Sequence, residues 1–221
     1  MPPANGWTLG EALRPFNMHS VKRPFLIGLA GGTCSGKSTL ARALRDTLGA
    51  NRCTIFPVDS YYIVPNPSLI TQGRANFDSP HVFDLGLCKA NLDVVLKSES
   101  VDIPSYDKHT GTHKGVRSII PTEIVVVEGL FALWDADIRH CLNLKVYVDV
   151  DDDVRLARRF IRDVVGYGFN PEEVCEYYLQ VTREMHKQYV EPTKEYATLI
   201  LKWPMSLQEQ VSAILEKISN D

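Results

Sequence analysis

Eight residues restrict this chain more than any other feature: Gly31-Gly32-Thr33-Cys34-Ser35-Gly36-Lys37-Ser38 fit G-x-x-x-x-G-K-[ST] at every fixed position. An apolar run from Phe25 to Ala30, bounded by Pro24 and the glycine pair, precedes them and reads as a buried strand. Leu40, Ala43, Leu44 and Leu48 follow at helical spacing, so the spacing predicts a helix from Lys37 to Leu48. Strand, glycine-rich turn and helix in that order make a cradle for phosphate. Backbone N–H groups in the turn point inward, and the helix N-terminus adds about half a positive charge. Gly31 to Ser38, together with Thr39, are the expected nucleotide-phosphate contacts. Lys37 would reach the β- and γ-phosphates and the Ser38 hydroxyl would ligate magnesium.

Four more strands are expected, at Cys53–Val58, Ile124–Val127, Leu144–Val150 and Ala197–Leu201. Helical spacing covers Leu85–Lys97, Val154 to about Val165, and Glu172–Val190, the last with Val174, Tyr178, Val181, Met185 and Tyr189 on one stripe. Ser206-Leu207-Gln208-Glu209 matches a capping box that opens a final helix. Strands separated by helices predict an α/β fold of the P-loop NTPase type: a five-stranded parallel sheet flanked by helices. Two β-prone pieces within 101–120 read as an inserted β-hairpin, and the arginine-rich stretch 154–170 as a lid region. Residues 1–22 read as an N-terminal extension and 23–221 as one domain.

Composition excludes several classes. Twenty-four Lys and Arg against 27 Asp and Glu give no ground for a nucleic-acid binder. Apolar runs such as Ile124–Val127 fall far short of the roughly 20 residues that span a membrane. The five cysteines are scattered, without a C-x-x-C pair, which fits reduced thiols and a cytoplasmic location. Met1 to Ser20 lacks the apolar core of a signal segment.

A phosphate cradle does not say what is done with the phosphate. The sequence has no N-K-x-D guanine-reading motif. Asp59 ends the second strand, on the sheet edge where ligands bind, and a carboxylate there can take a proton from an attacking hydroxyl; a plain strand-end turn explains it equally. Glu128 ends the third strand and can hold magnesium, or simply close a turn. Arg155, Arg158, Arg159 and Arg162 can clamp phosphate, or form a solvated face paired with Asp151 to Asp153.

With these residues in view, the chain resembles the uridine kinase (uridine–cytidine kinase) group of the phosphoribulokinase/uridine kinase family of P-loop kinases. The blocks that carry the resemblance run from about Pro24 to Leu201. They are Gly31 to Ser38, Asp59-Ser60-Tyr61-Tyr62, Asn76 to Pro80 with Phe83-Asp84, and Ile103 to Asp107. Glu128-Gly129, Arg155 to Arg159 with Arg162-Asp163, and Glu191 to Ala197 follow in family order. The resemblance implies ATP-dependent phosphorylation of a nucleoside 5′-hydroxyl, uridine or cytidine going to UMP or CMP, with ATP and Mg2+ as cofactors. It makes Asp59 the general base, assisted by Lys37 and the lid arginine Arg162, and places Ser38 and Glu128 around magnesium. Tyr62, Asp78 and Arg159 would face the ribose, and Phe77 and Tyr106 the pyrimidine. A homo-oligomer is implied by resemblance only.

The departures fall on base-reading positions. Lys108 and Gly111 stand where the family has an aromatic residue and a histidine; His109 and His113 lie two residues to either side, and His109 is a candidate substitute. Tyr167-Gly168-Phe169 replaces an Arg-Gly-Arg segment, Tyr177 a glutamine, and Lys202 to Met205 the usual loop after the last strand. Two alternatives therefore stay open: a kinase for another ribosyl or sugar substrate of the same family, and a non-catalytic nucleotide-binding regulatory protein.

Overall fold

The structure, a computed structural model, describes residues 23–63, 70–71, 74–107 and 112–220. The N-terminal extension 1–22 and Lys108, His109 and Gly111 lie outside the described residues.

The central sheet contains β1 (Phe25–Gly31), β2 (Cys53–Pro57), β7 (Ile124–Glu128), β8 (Leu144–Asp149) and β9 (Leu199–Lys202), all parallel, in the spatial order β2-β7-β1-β8-β9. Two short pairs lie outside it: β3 (Ile70–Thr71) with β4 (Arg74–Ala75), and the hairpin β5 (Val101–Asp107) with β6 (Thr112–Ile119). The parallel five-stranded sheet and the hairpin match the sequence-based expectation.

Side chains that alternate along each strand divide the interior into two layers. Leu26, Ala30, Val125 and Val127 face one side, where they meet Leu92 and Val95 of helix α2 (Leu85–Leu96) and Ile138 of α3 (Ala136–Cys141). Ile27, Leu29, Ile124 and Val126 face the other, against Leu40, Leu44 and Leu48 of α1 (Lys37–Leu48) and Val211 and Ile214 of α7 (Leu207–Asn220). Both faces of the sheet are thus dry, as a run of four β-branched residues on one strand requires. At α7 the capping box forms in both directions: Glu209 N donates to Ser206 Oγ at 3.3 Å and Ser206 N to Glu209 Oε2 at 2.7 Å.

Three local features differ from expectation. β2 stops at Pro57, its last pairing being with Glu128, and Val58–Tyr61 forms a 3-10 turn, so Asp59 sits in that turn rather than at the strand end. Helix α3 is six residues long, too short to carry a periodic signal, and Asp135 nucleates it by accepting from Ile138 N at 2.9 Å.

The third difference concerns the long helical segments. α4 (Asp152–Phe160) runs on as a π-turn to Gly166. α5 (Pro171–Tyr177), a π-turn, α6 (Arg183–Met185) and a second π-turn carry the chain to Val190. A π-turn widens the helix by a residue and moves the inward face onward. The buried positions are accordingly Thr182, His186 and Val190 instead of Met185 and Tyr189, which places two polar groups inside. No helix among the described residues is long and apolar enough to cross a membrane.

Candidate active site

At the C-terminal end of β1 the chain turns through the phosphate loop into α1. Gly36 takes the cap position with φ 104° and ψ 6°, a left-handed conformation that costs a residue with a Cβ about 1–2 kcal/mol. Lys37 is buried and folds back along the loop, donating to Gly31 O at 2.9 Å and Gly32 O at 2.8 Å. Beneath the loop lies Arg155, only 1% exposed, held by Asp152 and by donation from Nε to Val150 O at 3.1 Å. A Cβ on Gly32 would come within 2.5 Å of Arg155 Nη1, so glycine is what lets this guanidinium support the loop. Arg158 reaches Ser35 O at 3.4 Å and lies over the Trp203 ring, 4.4 Å from its centroid.

Beside the loop, Ser38 Oγ donates to Glu128 Oε2 at 3.0 Å. An alcohol and a carboxylate oxygen at one point are hard donors that suit Mg2+, which commonly takes one or two protein oxygens and completes its shell with water and substrate phosphates. No group of three or more His, Cys, Asp or Glu that could cage a metal occurs among the described residues.

Next to this pair Asp59, Ser60, Ser105, Tyr106, Arg117 and Glu128 line a cavity of about 180 Å³. Tyr106 is its one aromatic lining residue, and behind it Tyr106 joins a cluster of rings with Tyr62, Phe83 and Phe77. Tyr62 lies 4.1 Å from Phe83, 4.8 Å from Tyr106 and 5.3 Å from Phe77 between ring centroids. The Phe77 and Tyr106 centroids are 6.5 Å apart, with the ring planes 53° from parallel. Tyr62 donates its hydroxyl to Phe77 O at 3.1 Å, and burial, reinforced by Asp59 and Asp78, pushes its pKa well up, so the phenol stays protonated. His113 closes the hairpin side, its Nε2 2.6 Å from Tyr62 O and its ring edge-on to Tyr106.

Within electrostatic reach of Tyr62 lies a buried polar junction centred on Arg159. Its Nη1 donates to Thr182 Oγ1 at 2.9 Å and lies 3.4 Å from Asp78 Oδ2, while Nε reaches Asp163 Oδ2 at 3.2 Å. Thr182 Oγ1 in turn donates to Asp78 Oδ2 at 2.8 Å. Arg162 donates to Asp163 Oδ1 at 2.6 Å and lies 5.9 Å from the Tyr167 ring; Tyr177 stands 5.7 Å from the Arg159 guanidinium. Both arginines are within electrostatic reach of Cys34 in the phosphate loop.

The structure therefore draws Lys37, Ser38, Glu128 and Asp59 to one edge of the sheet, gathers Tyr62, Phe77 and Tyr106 in one ring cluster, and joins Asp78, Arg159 and Arg162 through one junction with Asp163. Sequence reasoning missed Thr182 and Asp163 as partners in the arginine junction, the burial of Arg155 and the inward turn of His186. The Arg162-Asp163 dipeptide was a visible signal for one of them; the π-turns that direct Thr182 and His186 have no sequence periodicity to betray them.

His186 is buried beside this junction, and burial, followed by the Arg155 cation, pushes its pKa down to about 4. Asp152 and Asp78 act against that shift and Lys37 with it. In the unfolded chain the imidazole titrates near its ordinary 6.5, so between those values the unfolded state binds more protons. Stability is complete above pH 6.5 and falls as pH drops toward 4, by about 2 kcal/mol between pH 7 and pH 5. Urea unfolding at pH 7, 6 and 5 checks this, and His186→Phe is expected to flatten the slope across that window.

A phosphate loop at the first strand, a hydroxyl–carboxylate pair beside it and a second carboxylate facing a cavity next to that pair define the class of P-loop phosphotransferases. The sequence narrows that class: a family model described as phosphoribulokinase/uridine kinase matches residues 26–207, and the chain belongs to that family. It is 42% identical over 186 residues to the uridine kinase of Deinococcus deserti, covering 81% of this chain and 87% of that protein. Over 179 residues it is 38% identical to the uridine kinase of Halobacterium salinarum, covering 80% and 79%. Among solved structures, phosphoribulokinase from Rhodobacter spheroides superposes with a TM-score of 0.63 at 14% identity, covering 83% of this chain and 71% of that one, which bears on the fold.

Proposed function

We propose that the protein transfers the γ-phosphoryl group of ATP to the 5′-hydroxyl of a pyrimidine nucleoside, giving UMP from uridine and CMP from cytidine. The observation that carries this reading is the cavity at Asp59, which is lined by Asp59, Tyr106 and Glu128, the carboxylate that accepts from Ser38. The relatives named uridine kinase support it.

In this mechanism the acceptor ribose lies between Tyr62 on one side and Asp78 with Arg159 on the other, its paired hydroxyls taken by the Asp78 carboxylate. Asp59 removes the proton from the 5′-hydroxyl as its oxygen bonds to the γ-phosphorus. The bond from that phosphorus to the β,γ-bridging oxygen breaks, and ADP leaves with the electron pair. Lys37, the N-terminus of α1 and Arg162 offset the charge spread over the transferring group. Ser38 and Glu128 would hold magnesium, which supplies further positive charge at the phosphates when bound. The Phe77 and Tyr106 rings enclose the base.

Gly129 gives Asp59 its room. A Cβ there would fall 2.8 Å from Val58 Cβ and 3.2 Å from Asp59 Oδ1. Gly129→Ala is expected to displace the carboxylate and lower kcat on the order of 10-fold to 100-fold, with ADP affinity kept within about twofold. Steady-state kinetics beside ADP titration separates the two effects.

The test of the whole reading is turnover of ATP with a panel of acceptors: uridine, cytidine, purine nucleosides, nicotinamide riboside and pentose phosphates. UMP and CMP formation is the expected result. A second reading, a kinase for another ribosyl or sugar acceptor, is favoured by Tyr167 and Tyr177, whose rings sit 5.9 Å from Arg162 and 5.7 Å from Arg159 at positions where the resemblance would place an arginine and a glutamine. Turnover confined to a non-pyrimidine acceptor would establish that reading and overturn the first. ATP binding without turnover on any acceptor would leave a regulatory protein.

A further inference from the structure

Two buried polar groups at the phosphate loop have no hydrogen-bond partner among the described residues: Ser35 Oγ, on a residue 4% exposed, and Arg155 Nη1. The rest of the Arg155 guanidinium is engaged, Nε with Val150 O and Nη2 with Asp152. Buried donors are paired in nearly all proteins, so two left over in one loop call for a reason. Their positions supply one. A Cβ on Gly31 would lie 3.1 Å from Ser35 Oγ, and one on Gly32 2.5 Å from Arg155 Nη1. Each group thus stands against one of the two glycines whose carbonyls Lys37 holds.

An ammonium has three N–H donors. Lys37 donates to Gly31 O and Gly32 O, so at most one donor remains for phosphate. Contacts to both a β- and a γ-phosphate oxygen therefore require it to release at least one carbonyl. A released carbonyl in a buried loop needs another donor, or the loop shifts to find one. Ser35 is already tied to this side of the loop, since its N donates to Gly32 O at 3.2 Å.

We infer that Ser35 and Arg155 are positioning residues of the phosphate loop: as Lys37 turns to the β- and γ-phosphates, Ser35 Oγ and Arg155 Nη1 take over the Gly31 and Gly32 carbonyls it releases. The loop then keeps its course, with its N–H groups aimed at phosphate, while its lysine is in use. The inference rests on Lys37 serving the phosphates as in the proposed function, and it is independent of the acceptor.

The test has two arms, both on the full chain. In the first, AMP-PNP with magnesium is titrated in a calorimeter, and Ser35→Ala and Arg155→Lys are each expected to weaken binding about tenfold. The second is urea unfolding without nucleotide, with and without Lys37→Met, which leaves both carbonyls to Ser35 and Arg155. Ser35→Ala is expected to shift the folding equilibrium less than about twofold beside Lys37 and about tenfold in the Lys37→Met background. Arg155→Lys also loses its bond to Val150 O, and it is expected to cost about tenfold more in that background than in the original. A hydroxyl that only touched phosphate would weaken AMP-PNP binding without this coupling, and a residue that only braced the fold would destabilise both backgrounds equally. Either result, or unchanged AMP-PNP affinity in both variants, would overturn the inference. Should Lys37→Met not fold, the carbonyl 13C shifts of Gly31 and Gly32 in the AMP-PNP complex replace the second arm. They are expected to differ between the original chain and each variant, and identical shifts would count against the handover. The acceptor panel can fail with this coupling intact, and additive substitutions leave turnover of uridine unaffected, so the two readings fail separately.

Discussion

Asp59→Asn is expected to lower kcat by about 10² to 10⁴ while leaving the KM for ATP within a few-fold of its original value. Asparagine keeps the shape that fits against Gly129, so the 3-10 turn at Val58–Tyr61 is retained and only the capacity to accept a proton is lost. The acceptor hydroxyl must then lose its proton to water, in a cavity walled by Tyr106 and Ser105. ADP titration of the variant is the control, since the phosphate loop and the Ser38–Glu128 pair are untouched. A rate within a few-fold of the original would remove Asp59 from the mechanism and leave it as a structural residue of the turn.

The largest effect on stability is expected from Arg159→Met. Asp78 and Asp163 are both buried, and Arg159 is the cation that faces the two of them. Removing it leaves Asp78 without its cation in a poorly solvated place and Asp163 with Arg162 alone, and losing one partner of a buried pair costs about 3–5 kcal/mol. For a chain of this size that corresponds to a fall in Tm of roughly 10 °C or more. Arg159→Lys is expected to recover less than half of the loss. An ammonium is a point charge, whereas the guanidinium fork reaches Asp78, Thr182 and Asp163 together. The KM for the acceptor should rise in both variants, because Asp78 loses the partner that orients it. Thermal unfolding and acceptor KM, measured on the same preparations, check the two parts.

Much of this was legible in the residues. The loop from Gly31 to Ser38 fixed a strand before it and a helix after it, and both lie where the spacing put them. Ile124–Val127 announced a strand buried on both faces, which is where β7 runs, between β2 and β1. Asp59 and Glu128 were recognisable because carboxylates that close strands of a parallel sheet share its ligand edge, although Asp59 has moved two residues past the strand end into a turn.

What was not legible has physical causes. The stripe Val174-Tyr178-Val181-Met185-Tyr189 assumes 3.6 residues per turn, and two π-turns rotate the helix away from it, so that Thr182 and His186 face inward. Arg155 looked interchangeable with Arg158 and Arg162 on a basic helix. Its burial follows from the approach of α4 to Gly32, a tertiary contact 123 residues away in the chain, which local spacing does not encode.

The two outer strands of the sheet determine how copies of this chain can associate. β2 exposes one edge, but Thr54 donates to Ile120 O at 2.8 Å and to it Thr122 donates in turn at 3.1 Å, so the end of the hairpin lies over part of that edge. β9, at the other extreme, is four residues long, ends in the exposed Lys202 and is followed within two residues by Pro204. Short strands, an edge lysine and a nearby proline are what keeps sheets from joining end to end. Joining of two copies through either outer edge of this sheet is therefore disfavoured.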